Sequence, residues 1–307
     1  MNDRQKEKIK NNVAGYLLVL PLLISLTIFT IYPLLMALFD SFFLDYNPLR
    51  EHDWSAFGFG NYIKAFTSKT FWKSIKITTI YSVVMIPFSI VGSFFISYAL
   101  SKNVRGIKVY RALYYFPCVI PGIVSAIVYK YIYSYTDYGF FNSILIRLGL
   151  PKSDFFEAKS QAEALISYMS LSIYTLGGSM PFWIAGFKSI PASYIEAAKL
   201  DGCKGGRMLV SIIIPMMGGY IFFQVLNTVI ATLQIGQGVL QISSRGGYDE
   251  NLNFYGLYIY NQTQGVYGFN LGYASALSYL LFIVIGILSI FLFKRNKKIY
   301  YAEDGGI

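Results

Sequence analysis

A short charged segment around Glu196 carries the residues of this sequence best suited to contact another protein. Pro191 suits the first turn of a short helix, and Gly202 suits the position just past its end. Ala197 and Ala198 have small side chains that allow a second protein surface to approach closely, and Glu196 adds a carboxylate. The spacing therefore predicts a compact helix that fits a groove in a partner and transmits the partner's movement.

The side chains that enzymes use for catalysis are not grouped in this sequence. His52 is the only histidine, the two cysteines lie far apart in sequence, and no nucleophile elbow occurs. The phosphate-binding pattern G-x-x-x-x-G-K-[ST] is also missing, because the glycines from Gly202 to Gly206 are not followed by Lys and Ser or Thr. We therefore predict that the chain is not an enzyme, and we assign no catalytic, cofactor-binding or metal-binding residue.

The elements that position the Glu196 segment are long apolar stretches. Apolar residues make up 55% of the 307 residues, aromatic residues 18% and charged residues 14%, against about 25% charged residues in soluble domains. A membrane-spanning helix needs about 20 mostly apolar residues. Charge-free windows at 11–39, 77–101, 112–129, 164–187, 208–244 and 251–293 predict six such helices, with the fifth at 209–234 and the sixth at 273–293.

The positions of Lys and Arg predict which ends face the cytoplasm. Short loops rich in these residues stay cytoplasmic. The N-terminal segment and the segments 102–111, 188–207 and 294–307 hold 16 of the 26 basic residues and six of the 16 acidic residues, which accounts for the net charge of +10. We therefore predict that both termini are cytoplasmic and that the basic balance reflects membrane orientation rather than nucleic-acid binding.

This topology divides the chain into a cytoplasmic segment 1–12, a six-helix membrane domain 13–293 that includes the segment 188–215, and a cytoplasmic tail 294–307. The outer segment 40–74 is expected to be a solvated loop, with contact to an outside partner as the alternative. The outer segment 134–162 predicts a short amphipathic helix at the membrane interface. In the third outer segment, 236–272, Arg245-Gly246-Gly247 predicts a turn.

Polar residues recur at helical spacing within the apolar stretches. Gln224, Thr228 and Thr232 are four residues apart, with Asn227 and Gln234 beside them. The fourth predicted helix has a similar stripe at Ser167, Ser170, Tyr174, Thr175 and Gly178. Such side chains in lipid need a partner or a water-filled cavity, so they predict a path for a neutral polar solute, while helix packing remains the alternative. The predicted pathway residues are Gln224, Asn227, Thr228, Thr232, Gln234, Tyr174 and Thr175.

The predicted helices have no Asp, Glu, His or Lys at their centres. Carriers driven by an ion gradient commonly place Asp, Glu, His or Lys near the midplane of the membrane. Backbone carbonyls can hold sodium without such residues, so an ion-coupled secondary sugar carrier remains the alternative. The pattern favours transport that takes its energy from another subunit.

The segment at 196–215 resembles the coupling signature of the permease subunits of ABC importers. Glu196-Ala197-Ala198, Gly202 and then Ile212 and Pro215 stand at the family's spacing, with Ile214 in place of the usual Leu and Cys203 where Ala is common. Further similarity to carbohydrate permeases of the maltose type extends from about 13 to 301. It includes Ile31-Tyr32-Pro33, Phe59-Gly60-Asn61-Tyr62, Tyr115-Phe116-Pro117 and Gly272-Tyr273-Ala274-Ser275-Ala276.

The resemblance implies an all-α integral membrane fold with six transmembrane helices, a permease core and a cytoplasmic coupling helix. It implies a permease that forms half of the pathway for a carbohydrate, expected to be an oligosaccharide, in the bacterial inner membrane. The implied partners are a second homologous permease in a heterodimer, two cytoplasmic ATPases that bind ATP and Mg²⁺, and an extracytoplasmic binding protein. The coupling residues that it implies are Glu196, Ala197, Ala198, Asp201, Gly202 and Pro215.

Overall fold

The computed structural model describes residues 16–49, 51–102, 104–239, 242–243, 246–264 and 268–304, with side chains except at 123, 237 and 296–304. The regular elements of this part of the chain are helices, and one isolated bridge pairs Phe43 with Phe57. The all-α prediction is confirmed. The predicted N-terminal segment 1–12, Arg245 and residues 305–307 of the predicted tail lie outside the described residues.

We number thirteen α-helices along the described part of the chain. The first seven are α1 (Tyr16–Asp40), α2 (Gly60–Thr67), α3 (Lys69–Ser101), α4 (Ile107–Val119), α5 (Gly122–Ile132), α6 (Phe140–Arg147) and α7 (Gln161–Thr175). The others are α8 (Met180–Ser189), α9 (Ala192–Leu200), α10 (Gly205–Met216), α11 (Gly218–Leu233), α12 (Tyr255–Thr263) and α13 (Leu271–Asp304).

Three helices are long and apolar enough to cross a membrane: α1, α3 and the part of α13 from Leu271 to Arg295. Two bent pairs, α4 with α5 and α10 with α11, bring the number to five if each pair is one span. Residues 16–36 of α1 are exposed on every side, as suits a helix whose surroundings are lipid or another membrane helix. These counts refer to the described residues, and the six crossings remain a prediction.

The helix predicted at 112–129 is bent rather than continuous. The axes of Ile107–Val119 and Val124–Ile132 differ by 95°. Pro121 stands at the break, and a residue before proline is disfavoured in the helical region, which agrees with the extended ψ of 129° at Ile120.

The predicted helix at 164–187 is also interrupted. A 3-10 turn at Leu176–Ser179 separates α7 from α8. At this turn Gly177 lies so close to α4 that a Cβ atom on it would overlap the carbonyl group of Tyr114. Glycine is therefore required where the turn crosses α4.

The chain divides into two compact units: Met1–Ser68 with Asn261–Leu280, and Lys69–Tyr260 with Leu281–Ile307. In the first unit, buried Asn61 donates from Nδ2 to the carbonyl oxygens of Ser41 (3.0 Å) and Phe43 (2.9 Å). Gly272 lies against the same stretch of backbone, because a Cβ atom on it would overlap the carbonyl oxygen of Phe43. The segments around Asn61 and Gly272 therefore both contact the same short stretch of backbone around Phe43.

The predicted solvated loop at 40–74 is in fact partly folded. Asp40 is buried, and its Oδ1 lies 2.8 Å from Nε2 of His52, whose ring stacks on Tyr46 at 4.2 Å. Nearby, the Lys64 ammonium donates to the Asp45 carboxylate at 2.6 Å and holds the pKa of that carboxyl below its usual value. These contacts give the segment a core of its own.

The outer segment 134–162 contains the predicted short helix, which is α6. Buried Asn142 fastens it by donating to the carbonyl oxygens of Ser134 and Ser153, both at 3.0 Å. Phe140, Ile144 and Leu148 are exposed at four-residue spacing. The amphipathic pattern is confirmed, and its placement at the membrane interface stays a prediction.

We predict that Gly272→Ala lowers the thermal stability of the purified protein. The added methyl group overlaps the Phe43 carbonyl, and overpacking of this kind costs about 1–3 kcal/mol. The measurement is the apparent midpoint of thermal unfolding in detergent. Gly286→Ala in the same helix is the matched control, because its Cβ atom meets nothing within 4 Å. Equal midpoints for the two variants would contradict the prediction.

Candidate functional site

The predicted helix at the Glu196 segment is present as α9, Ala192–Leu200. Pro191 has φ −60° and ψ 135° and stands immediately before the first helical residue, one position earlier than the sequence predicted. Its fixed φ directs the chain into the helix, and its carbonyl oxygen accepts from the Tyr194 N–H at 3.2 Å. The sequence pattern therefore located this helix to within one residue.

Gly202 ends α9 in a left-handed conformation with φ +77°. The Cys203 N–H donates to the Ala198 carbonyl at 2.8 Å, and the Gly202 N–H donates to the Lys199 carbonyl at 3.0 Å. This pair of bonds is the Schellman motif, which satisfies carbonyls at the end of a helix and needs a residue that tolerates positive φ. The role predicted for Gly202 at the helix end is confirmed.

The two sides of α9 differ. Glu196, Ala197 and Leu200 are exposed, and Leu200 retains 89% of its accessible surface. Asp201 and Gly202 continue the exposed surface beyond the helix end. An exposed leucine beside small residues and two carboxylates provides a surface that another protein can cover.

The other side of α9 packs into a cluster that we call the Trp183 cluster. Ala198 and Cys203 are buried in it, and Ile195 packs against it. The cluster joins α9 to α3, α8 and α10. Its buried members are Phe94, Trp183, Ile190, Ala198, Cys203, Met208, Leu209, Ile213 and Met217.

Pro215 lies next to a bend between α10 and α11. The helix axes differ by 75°, and the break is at Met217, whose N–H donates to the Ile213 carbonyl at 3.0 Å. Proline removes one helical hydrogen bond, and the preceding turn, Leu209–Ile213, is widened to a π-helix. Pro215 therefore stands two residues before the break between the two helices.

Beyond this bend lies a cavity of about 380 Å³, which we call the polar cavity. Its wall combines α3, the end of α7, the 3-10 turn and α11. Five of the seven predicted pathway residues line it: Thr175, Gln224, Asn227, Thr228 and Thr232. The other lining residues are Tyr81, Ser89, Ser93, Ser172, Leu176, Gly178, Ser179, Ala231 and Ile235.

The polar side chains of α11 are partly engaged within the helix. The Thr232 hydroxyl donates to the Thr228 carbonyl at 2.8 Å, and Nδ2 of Asn227 donates to the Phe223 carbonyl at 2.9 Å. Nε2 of Gln224 lies 3.5 Å from the Thr228 hydroxyl. These bonds orient the side chains, while a hydroxyl or amide oxygen can accept a further hydrogen bond.

Tyr174 lines a second cavity, of about 360 Å³, which we call the tyrosine cavity. It is bordered by Tyr81, Tyr129 and Tyr168, and by Cys118 from α4. The two cavities share lining residues at 81, 172, 175 and 235. No charged residue is among the described residues that line either cavity.

The structure also separates residues that the sequence grouped together. Gln234 follows the last residue of α11 and does not line either of the two cavities. Ser170 is used in packing, because its hydroxyl lies 2.5 Å from that of Tyr133. Ser89 and Ser93 of α3 line the polar cavity but were not among the predicted pathway residues, although these serines and Tyr81 are separated by multiples of four residues.

Nearly the whole length of the chain is similar to known membrane proteins, although no protein-family model matches it. It is 30% identical over 298 residues to the probable ABC transporter permease protein YesP of Bacillus subtilis (strain 168), a match that covers 96% of this chain and 94% of that protein. It is 26% identical over 295 residues to the lactose transport system permease protein LacF of Rhizobium radiobacter, covering 94% and 95%.

Among solved structures, the chain is similar to one in a bacterial ABC transporter involved in the import of the acidic polysaccharide alginate. The TM-score is 0.82 at 20% sequence identity, covering 96% of this chain and 99% of that chain, which shows a shared fold. The apolar helices and the permease relatives together identify a multi-pass membrane protein. The full-length similarity to YesP shows that the chain belongs to the ABC transporter permease family.

Proposed function

We propose that the chain is the permease subunit of an ATP-driven importer and forms half of the translocation pathway for a neutral oligosaccharide delivered by an extracytoplasmic binding protein. The observation that supports the substrate class is the wall of the polar cavity. Its volume of about 380 Å³ lies within the range of small-molecule sites, about 300–1,000 Å³. Its hydroxyl and amide groups match the donors and acceptors of a sugar.

The described residues that line the two cavities are uncharged, which favours a neutral sugar over an acidic one. An acidic polysaccharide such as the alginate of the structural neighbour carries carboxylates, which call for cationic partners when they leave water. The described residues that line the polar and tyrosine cavities provide none. The relative LacF is described as a lactose permease, and lactose is a neutral disaccharide, which agrees with this proposal.

We assign ATP and Mg²⁺ to two cytoplasmic ABC ATPase subunits, because the sequence has no phosphate-binding loop of the G-x-x-x-x-G-K-[ST] type. A second homologous permease completes the pathway as a heterodimer. The complex lies in the bacterial inner membrane with both termini of this chain in the cytoplasm, as the distribution of 16 of the 26 basic residues indicates.

In this proposal, ATP binding closes the ATPase dimer and moves α9, whose exposed surface lies in a groove of the ATPase. The coupling segment contains Glu196, Ala197, Ala198, Asp201 and Gly202. Pro215 permits the bend between α10 and α11, so that α11 follows the movement of α9. Because α11 carries Gln224, Asn227, Thr228 and Thr232, the movement reaches the polar cavity. The cavity then opens alternately to the binding protein and to the cytoplasm.

The energy source is tested with the reconstituted four-subunit complex in vesicles. We expect sugar uptake to require ATP and the binding protein, and to continue when an ionophore removes ion gradients. Uptake that stops with the ionophore and proceeds without ATP would identify the ion-coupled secondary carrier instead.

We predict that Glu196→Lys reduces both uptake and binding-protein-stimulated ATP hydrolysis at least about tenfold, because it reverses the charge at the coupling surface. The measurements are sugar uptake and phosphate release in vesicles. Asp154→Lys is the control, because it makes the same charge change at an exposed site outside the coupling segment. Normal uptake with Glu196→Lys would contradict the coupling assignment.

Gly202→Val should cause the same loss of uptake and of stimulated ATP hydrolysis as Glu196→Lys. Gly202→Asn should retain activity, because asparagine tolerates the positive φ at this position.

We predict that Gln224→Leu and Thr228→Leu each raise the KM for sugar about tenfold, because each removes a hydrogen-bonding group from the cavity wall. Basal ATP hydrolysis should be retained. Phe223→Leu on the same helix serves as the control, since Phe223 is 51% exposed and does not line the polar cavity. Unchanged kinetics with a panel of neutral sugars would assign Gln224 and Thr228 to helix packing.

A further inference from the structure

We propose that the hydrogen bond between Trp183 and Ser93 is the link that connects movement of the coupling segment to the wall of the polar cavity. The proposal rests on the coupling role assigned to α9 under the proposed function. It names two residues outside the coupling signature and outside the predicted pathway set. Both lie in the second compact unit of the chain.

Trp183 is bonded to the cavity wall from inside the protein. Its side chain is fully buried, with 0% exposure, and its indole Nε1 donates to the Ser93 hydroxyl at 2.9 Å. The Ser93 hydroxyl in turn donates to the Ile90 carbonyl at 3.3 Å. Ser93 lines the polar cavity, so one donor–acceptor pair joins a buried tryptophan on α8 to that cavity.

The same tryptophan belongs to the cluster that holds α9. Trp183 shares this buried cluster with Ala198 and Cys203 of the coupling segment. Its ring meets that of Phe94, the neighbour of Ser93 on α3, edge to face at 5.2 Å. Close-packed interiors transmit displacement because they contain few voids, so a shift of α9 acts on the Trp183 ring.

The bend between α10 and α11 is held by the same helix. A Cβ atom on Gly186 of α8 would lie 2.6 Å from the Met217 methyl carbon and 2.9 Å from the Tyr220 ring. The backbone of α8 is therefore in close contact with the bend that follows Pro215. Helix α8 thus contributes to the Trp183 cluster and contacts the bend, and Trp183 connects it to the cavity wall.

Apolar contacts in the cluster have no preferred direction, and helices packed in this way can slide. The Trp183–Ser93 bond is directional, because an indole N–H needs its acceptor close to the line of the bond. While this bond is kept, α8 holds a fixed position along α3 as α9 moves. Loss of the bond leaves the packing in place but allows the two helices to slide past each other.

The test uses the complete reconstituted complex and measures sugar molecules transported per ATP hydrolysed. Trp183→Phe keeps an aromatic ring and removes the N–H donor, and Ser93→Ala removes the acceptor. We expect each to lower the transported sugar per ATP about fivefold, the order of factor that one buried hydrogen bond provides. Trp183→Phe, which does not line the polar cavity, should retain stimulated ATP hydrolysis. The double variant should be no worse than either single variant, because all three lack the same bond.

Trp72→Phe is the matched control, since Trp72 is 53% exposed, and it should match the wild type. Ser93→Thr retains a hydroxyl and should restore coupling relative to Ser93→Ala. A normal ratio of sugar to ATP in Trp183→Phe, or strictly additive losses in the double variant, overturns the proposal. If Trp183→Phe does not assemble, Ser93→Ala with Ser93→Thr tests the same bond from the acceptor side.

The outcome also separates this inference from the proposed function. Glu196→Lys tests whether α9 couples to the ATPase at all, and it should reduce both uptake and stimulated hydrolysis at least about tenfold. If Glu196→Lys behaves in that way while Trp183→Phe retains full coupling, the link alone is wrong. If Glu196→Lys is without effect, the coupling role assigned to α9, on which this inference rests, is wrong.

Discussion

Backbone N–H and C=O groups that lie in lipid must find hydrogen-bond partners within the protein, and this requirement governs where the helices of this permease break. Ile120 and Gly122, at the break between α4 and α5, line the tyrosine cavity. Leu176, Gly178 and Ser179, in the turn between α7 and α8, line the polar cavity. At these two breaks, non-helical backbone therefore occurs where a cavity can supply water or a polar solute in place of the missing helical bond.

Helix α9 satisfies the backbone groups at its end by local hydrogen bonds. The Schellman bonds from Gly202 and Cys203 satisfy the last carbonyls of α9 without extending the helix. The short helix can therefore stop abruptly and expose Glu196, Ala197 and Leu200 while Ala198 remains in the Trp183 cluster. One side of α9 is free for a partner because the other side is anchored.

Much of the site was predictable because helical spacing survives in any helix that forms. The residues Gln224, Thr228 and Thr232 share a face of α11 and do line one cavity. Gln234 was grouped with them from spacing alone, but α11 ends at Leu233 and the periodicity ends with it. Ser89 and Ser93 were missed because isolated serines in an apolar helix are also common in packing.

The fold likewise divides into features that the sequence determined and features that it did not. The length of the charge-free stretches determined that the chain crosses a membrane, because lipid requires apolar residues locally. The spacing around Glu196 determined that the chain carries a short helix ended by glycine, because a positive φ is a local demand on residue type. Only the tertiary structure decided that the stretches 112–129 and 164–187 are broken, and that Trp183 meets Ser93. The physical reason is that the contact of Gly177 with the Tyr114 carbonyl and the bond from Trp183 to Ser93 join residues far apart in sequence. Such pairings depend on how helices cross, and periodicity within one helix carries no information about its neighbour.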